Sequence, residues 1–225
     1  MKIKTLFIAL LALALSVPFA TYAVQLDTQS QKFSYSVGYR LGLSLMNEGL
    51  DADPDAFAAA MKDALSGSKP AMTTEEMQAA LTAERDKQLK ALQEETDKNK
   101  QAGDKFRAEN AKKDGVKTLE NGIQYKVLTA GKGKQAAADS QVTVNYRGTL
   151  IDGTEFDSSY KRGKPASFGL TGVIKGWQEI VPKMKEGDKW QVVIPPELAY
   201  ADKGAGNAIG PGETLIFEIE LLEVK

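Results

Sequence analysis

Tyr200 stands between the Pro195-Pro196 pair and a run of glycines, in VIPPELAYADKGAGNAIGPGETLIFEIELL, which passes directly into an alternating apolar segment. The chain has 225 residues, with His 0 and Cys 0. Whatever chemistry surrounds this tyrosine therefore proceeds without an imidazole or a thiolate. Thiol nucleophiles, disulfides and iron–sulfur ligation are excluded, as are a usual zinc site and a Ser–His–Asp triad. Asp157 with Glu155, and Glu179 with Glu186, form carboxylate pairs on paper, yet no companion motif supports hydrolysis. GKGKQA from Gly131 and GAGNAIG from Gly204 are glycine-rich without the strand-to-helix setting of a phosphate loop, so they read as turns. Lys183 and Lys185 make only a small, solvated basic patch.

The elements that must position Tyr200 fall into two regions. A net charge of −1 creates no field favouring nucleic acid or an acidic membrane surface. At the N-terminus, MKIKTLFIALLALALSVPFATYA has lysines, a short apolar run from Leu6 to Leu15, then small residues. That order is expected of a secretory signal peptide over 1–23, cleaved after Ala23 or alternatively after Ala20, and the run is too short to span a bilayer. The mature protein is expected in a bacterial periplasm, with no membrane span.

Residues 24–72 read as two helices. Phe33, Val37, Leu41 and Leu45 share one face of the first, while Tyr35, Tyr39, Leu43 and Met46 make its other faces apolar. Asp53 and Pro54 open the second, which points Phe57, Met61 and Leu65 inward and stops at Gly67. Two such helices are too few for a core of their own. Pairing with a second copy is the first expectation, and packing onto the C-terminal region the alternative. Over 73–115 a long connecting helix is expected, opened by a Thr73–Glu76 capping box. Beyond Leu92 it has almost no apolar residue before Phe106, which predicts a solvated rod rather than a zipper.

From 116 to 225 the period changes to two. Val142, Val144 and Tyr146 alternate with polar residues, as do Trp190, Val192 and Ile194, then Leu215, Phe217, Ile219 and Leu221. One short helix, GWQEIVPKM, interrupts them with Trp177, Ile180, Val181 and Met184 at helical spacing. The class is α+β: an all-helical N-terminal region, a long helix, then an antiparallel sheet wrapped on one short helix.

VTVNYRGTLIDGTEFDSS, GVIKGWQEIVPKMKEGDKWQVVIPPELAYADKG and GPGETLIFEIELL together resemble an FKBP-type peptidyl-prolyl isomerase domain, over essentially all of 118–225. The helices before it resemble the dimerisation domain of the macrophage infectivity potentiator-like subfamily of Gram-negative bacteria. The resemblance implies acceleration of X-Pro rotation in exported proteins, a homodimer joined through the N-terminal helices, and chaperone activity from the dimer. A non-catalytic chaperone for unfolded chains is the alternative. It implies no metal, no cofactor and no nucleic acid, with proline-containing polypeptides as partners and macrolides such as rapamycin as inhibitors.

Carried over by position, Asp157, Tyr200, Phe156 and Trp177 take the catalytic places. Tyr146, Val173, Ile174, Ile209 and Phe217 line the proline pocket, and Arg162 supports Tyr146 and Asp157. Three positions depart from the family pattern. Ala166 replaces an aromatic wall usual in eukaryotic members, Ala205 a frequent histidine, and Ala201 a usual glycine.

Overall fold

Thr28 and Asp53 begin two helices in the way their side chains dictate. In the computed structural model, which describes residues 24–225, the Thr28 hydroxyl accepts from the Gln31 backbone at 3.2 Å, and the Gln31 side chain accepts from the Thr28 backbone at 2.9 Å. This reciprocal cap opens α1 (Gln29–Asn47). Asp53 accepts from Ala56 N at 2.8 Å to open α2 (Pro54–Ser66), and Gly67, in the left-handed region at φ 68°, closes it. Neither helix buries a residue: Phe33, Tyr39 and Met46 are 66%, 59% and 65% exposed. The signal peptide expected over 1–23 lies outside the described residues.

The chain divides into two compact units, one ending at Thr73 and the other spanning Thr74–Lys225. The second opens with α3 (Thr74–Asn110). Seven antiparallel strands follow: β1 (Val116–Thr118), β2 (Gln124–Thr129), β3 (Gln141–Thr149), β4 (Glu155–Ser158), β5 (Ala166–Gly169), β6 (Lys189–Ile194) and β7 (Leu215–Val224), in the order β1-β2-β6-β7-β3-β4 with β5 also on β3. The helix α4 (Lys175–Ile180) lies between β5 and β6 in the chain. Asp152 and Gly153 form the turn that returns β3 into β4, with Gly153 at φ 90° and Thr154 N donating to Asp152 at 2.8 Å.

The period-two pattern has its physical consequence in the core. Val142, Val144 and Tyr146 of β3, Trp190, Val192 and Ile194 of β6, and Leu215, Phe217, Ile219 and Leu221 of β7 are all buried and belong to one cluster. Trp177 and Ile180 of α4, with Val181 and Met184 of the following 3-10 turn, fill the same cluster. The long helix departs from expectation in its second half. Thr96, Gly103 and Asn110 are buried, so the segment beyond Leu92 is not a solvated rod throughout. Its contacts are polar and small: Asn99 donates to the Pro211 carbonyl at 2.9 Å, and Asn110 to the Gln124 side chain at 2.9 Å. No apolar repeat is needed for such a docking, which is why none is visible in the sequence.

Candidate functional site

Trp177 is where the site begins. The Ile174 backbone is extended, at ψ 151°, and its carbonyl accepts from Trp177 N at 2.9 Å, so α4 starts with the indole directed into the sheet. Three rings meet that indole almost at right angles. Tyr146 of β3 lies 5.4 Å away at 87°, Phe217 of β7 at 5.4 Å and 83°, and Phe168 of β5 at 5.8 Å and 82°. Phe156 of β4 then meets Phe217 edge-on at 5.5 Å. Edge-to-face geometry is the favoured arrangement for such rings, and together they make a floor with upright walls.

The register explains how residues far apart in sequence reach one place. Gly148 is opposite both Phe217 on β7 and Asp157 on β4. A side chain at 148 would lie 2.5 Å from the Phe156 ring and 2.9 Å from the Phe217 ring, so the glycine lets both phenylalanines close over β3. The result is a cavity of about 650 Å³. It is lined by Tyr146, Phe156, Asp157, Val173, Ile174, Trp177, Tyr200, Ile209 and Phe217, which are all the site residues expected from the sequence except Arg162.

Arg162 stands behind the wall. Its Nη2 donates to the Tyr146 hydroxyl at 2.7 Å, its Nη1 pairs with the Asp157 carboxylate, and its guanidinium lies over the Tyr146 ring, 5.3 Å from the centroid. The Tyr146 hydroxyl in turn donates to the other Asp157 oxygen. Burial pushes the Asp157 carboxyl up, but the hydrogen bonds from Tyr146 and Arg162 and the guanidinium charge outweigh it and hold the group below its ordinary value. Burial, with the bond to Asp157, pushes the Tyr146 phenol up. At neutral pH the Asp157 carboxyl is therefore ionised and the Tyr146 phenol neutral.

Phe168, Gly172, Ala199 and Ala208 also line the cavity and were missed from the sequence. Phe168 had a signal, the alternation on β5 that puts it on the face opposite to Ser167. Ala205 is part of the lining, whereas Ala166 packs on the core outside it. The carboxylate pairs do not act as pairs: Glu155 binds Arg147 at 2.7 Å and Lys161 at 3.0 Å, while Glu186 accepts from the Val224 backbone at 2.8 Å. Both glycine-rich stretches are turns. Gly131 N donates to Asp188 at 2.7 Å, and Ala205 and Ile209 exchange backbone hydrogen bonds at 2.9 and 3.2 Å.

Comparison with known families matches residues 132–222 to the FKBP-type peptidyl-prolyl cis-trans isomerase model, and residues 30–127 to the model of the domain amino terminal to it. The outer membrane protein MIP of Legionella longbeachae is 43% identical, over 100% of this chain and 99% of that protein. The peptidyl-prolyl cis-trans isomerase Mip of Coxiella burnetii is 44% identical over 90% of each. Among solved structures, FkpA from Escherichia coli superposes with a TM-score of 0.64 at 38% identity, covering 88% of this chain and 98% of that one.

Proposed function

Because this chain belongs to the FKBP-type peptidyl-prolyl cis-trans isomerases, we propose that its aromatic cavity turns X-Pro bonds by enclosure, with no proton transfer. The observation that carries this reading is the indole floor with its upright aromatic walls. A proline ring laid on Trp177 and held by Phe156, Phe217, Val173 and Ile209 leaves the preceding carbonyl free to rotate.

Rotation must pass a twisted amide that has lost its resonance, against a barrier of about 18–20 kcal/mol. The planar amide is the more polar of the two states. Stripping water from it in an apolar cavity therefore favours the twisted state. Two donors are available for the substrate's carbonyls. The Ile174 N–H has no backbone acceptor among the described residues, and the Tyr200 hydroxyl, on a ring 38% exposed, has no partner among them. Asp157, kept ionised by Arg162 and Tyr146, orients the Tyr146 wall and adds a fixed field. Uncatalysed exchange takes roughly tens to hundreds of seconds, so modest stabilisation suffices for a useful catalyst.

The test is the isomerisation of a short proline peptide by the purified protein without residues 1–23. Acceleration that Phe156→Ala largely abolishes is expected. Turnover untouched by that substitution would move the site elsewhere.

The N-terminal helices fit a second copy of this chain. They bury nothing by themselves, and they carry stacked Tyr35 and Tyr39, 6.2 Å between centroids, on an exposed surface. A homodimer joined there places two isomerase domains on one assembly, which supports capture of proline-containing unfolded chains as a chaperone function beside catalysis. Rapamycin, through its proline-like ring, is the inhibitor class suited to the cavity. Export to the periplasm, with cleavage near Ala23, completes this reading. It is supported by the leader composition and by the outer-membrane designation of the Legionella relative. No helix among the described residues is long and apolar enough to cross a membrane. Fractionation, together with the mass of the mature N-terminus, tests the export step.

A further inference from the structure

The wall of the cavity that carries Ala199, Tyr200, Ala205, Ala208 and Ile209 belongs to one long connection between β6 and β7. Little inside the cavity holds it. The Tyr200 hydroxyl is unpartnered among the described residues, and Ala201 beside it is their one non-glycine residue with positive φ, at 51°. On its outer side, however, the connection is fastened to α3. Lys100 pairs with Asp202 at 2.7 Å, two residues beyond Tyr200. Asn99 donates to the Pro211 carbonyl at 2.9 Å, and within the connection itself Gly212 N donates to the Ala201 carbonyl at 2.9 Å, tying the two anchored ends together. A side chain at Gly212 would lie 2.8 Å from the Thr96 carbonyl, so the backbones of helix and loop are in close contact there. Further along, Arg107 donates to Thr214, against which Gly103 packs without room for a side chain.

Thr96, Asn99, Lys100, Gly103, Arg107 and Asn110 succeed one another at intervals that keep them on one face of a helix. That face is polar, and at Gly103 it comes close to Thr214. We propose that it braces the Tyr200 connection from outside, so that Asn99 and Lys100 are positioning residues for X-Pro isomerisation, although neither reaches the cavity. This inference rests on the cavity reading above. A surface ion pair contributes little by itself, so the effect comes from geometry: the brace fixes where Ala201 turns and hence where the Tyr200 hydroxyl points. Through the same helix, anything that bends α3 is transmitted to one wall of the site.

The experiment uses full-length mature protein and an uncharged proline tetrapeptide. Asn99→Ala combined with Lys100→Ala should lower kcat/KM roughly three- to ten-fold, mostly in kcat. In a Tyr200→Phe background the same pair should lower it less than about twofold, because the group it positions is gone. Lys100→Asp should be impaired, and adding Asp202→Lys should restore it. Lys90→Ala, on an exposed part of α3, should match wild type. Full activity in the double variant, an undiminished loss in the Tyr200→Phe background, or an equal loss in Lys90→Ala would overturn the brace. Phe156→Ala runs beside them: if it alone kept wild-type turnover, the cavity reading would fail instead.

Discussion

The Tyr146 hydroxyl donates to the Asp157 carboxylate, and Arg162 closes the triangle by binding both. This arrangement leaves neither group ready to exchange a proton near neutrality, since Asp157 is held below its ordinary value and Tyr146 above its own. Turnover of an uncharged proline peptide should therefore be flat from about pH 6 to 8. The stability contributed by Asp157, whose folded value is depressed, is present above its unfolded pKa and is lost as pH falls through the folded one. That of Tyr146, whose folded value is raised, is complete below its unfolded pKa and is lost as pH rises through the folded one. A bell-shaped rate profile centred on neutral pH would contradict this account.

Removing a wall should cost more than removing a donor. Phe156→Ala opens the cavity beside Phe217 and should reduce kcat/KM by on the order of a hundredfold, whereas Tyr200→Phe should reduce it by about tenfold or less. Trp177→Ala is the less informative variant, because Trp177 is buried in the core and its loss should destabilise the domain by about 3–5 kcal/mol. Steady-state kinetics with parallel thermal melts separate the two effects.

Rapamycin should inhibit competitively, and more weakly than it binds eukaryotic domains of the family, because position 166 is alanine. Ala166 and Phe168 share one face of β5, so Ala166→Phe would add a ring beside an existing wall and should tighten binding several-fold. Calorimetric titration of both proteins is the direct measurement. Saturating macrolide that left peptide turnover unchanged would disprove the assignment of the cavity.

Ala201 holds a left-handed conformation that costs an L-residue about 1–2 kcal/mol. Ala201→Gly relieves this while adding about 0.5–1 kcal/mol of unfolded-state entropy. The net expectation is a stability gain between about zero and 1.5 kcal/mol by denaturant titration. A clear loss would mean that the strain is not present in solution.

Residues 24–225 should sediment as a dimer, and residues 74–225, which form their own compact unit, as a monomer. The two should turn over tetrapeptides alike, while the fragment should be markedly poorer on a proline-limited refolding protein. Linkage in a dimer raises the local concentration of a second domain to about millimolar for a long chain but not for a short peptide. Equal performance on the refolding substrate would remove the dimer from the mechanism.

The strands were legible because alternation has a direct physical meaning: Val142, Val144 and Tyr146 point one way along β3, and only burial of that face explains their type. The caps at Thr28 and Asp53 were legible because they are local, each satisfied within a few residues. The lack of histidine and cysteine was decisive in the same direct way, since it removed whole classes of chemistry before any fold was known. Tertiary structure decided the rest. Phe168 became a wall only once β5 paired with β3, and Gly148 became necessary only when Phe156 and Phe217 crossed it. The docking of α3 left no trace in the apolar pattern, because Asn99, Lys100, Gly103 and Arg107 hold the sheet domain through hydrogen bonds, one ion pair and a close backbone approach. Hydrophobic periodicity reports where water is excluded from apolar surface. The polar contacts of Asn99, Lys100 and Arg107 depend on partners more than a hundred residues away, and the fold alone determines which of them meet.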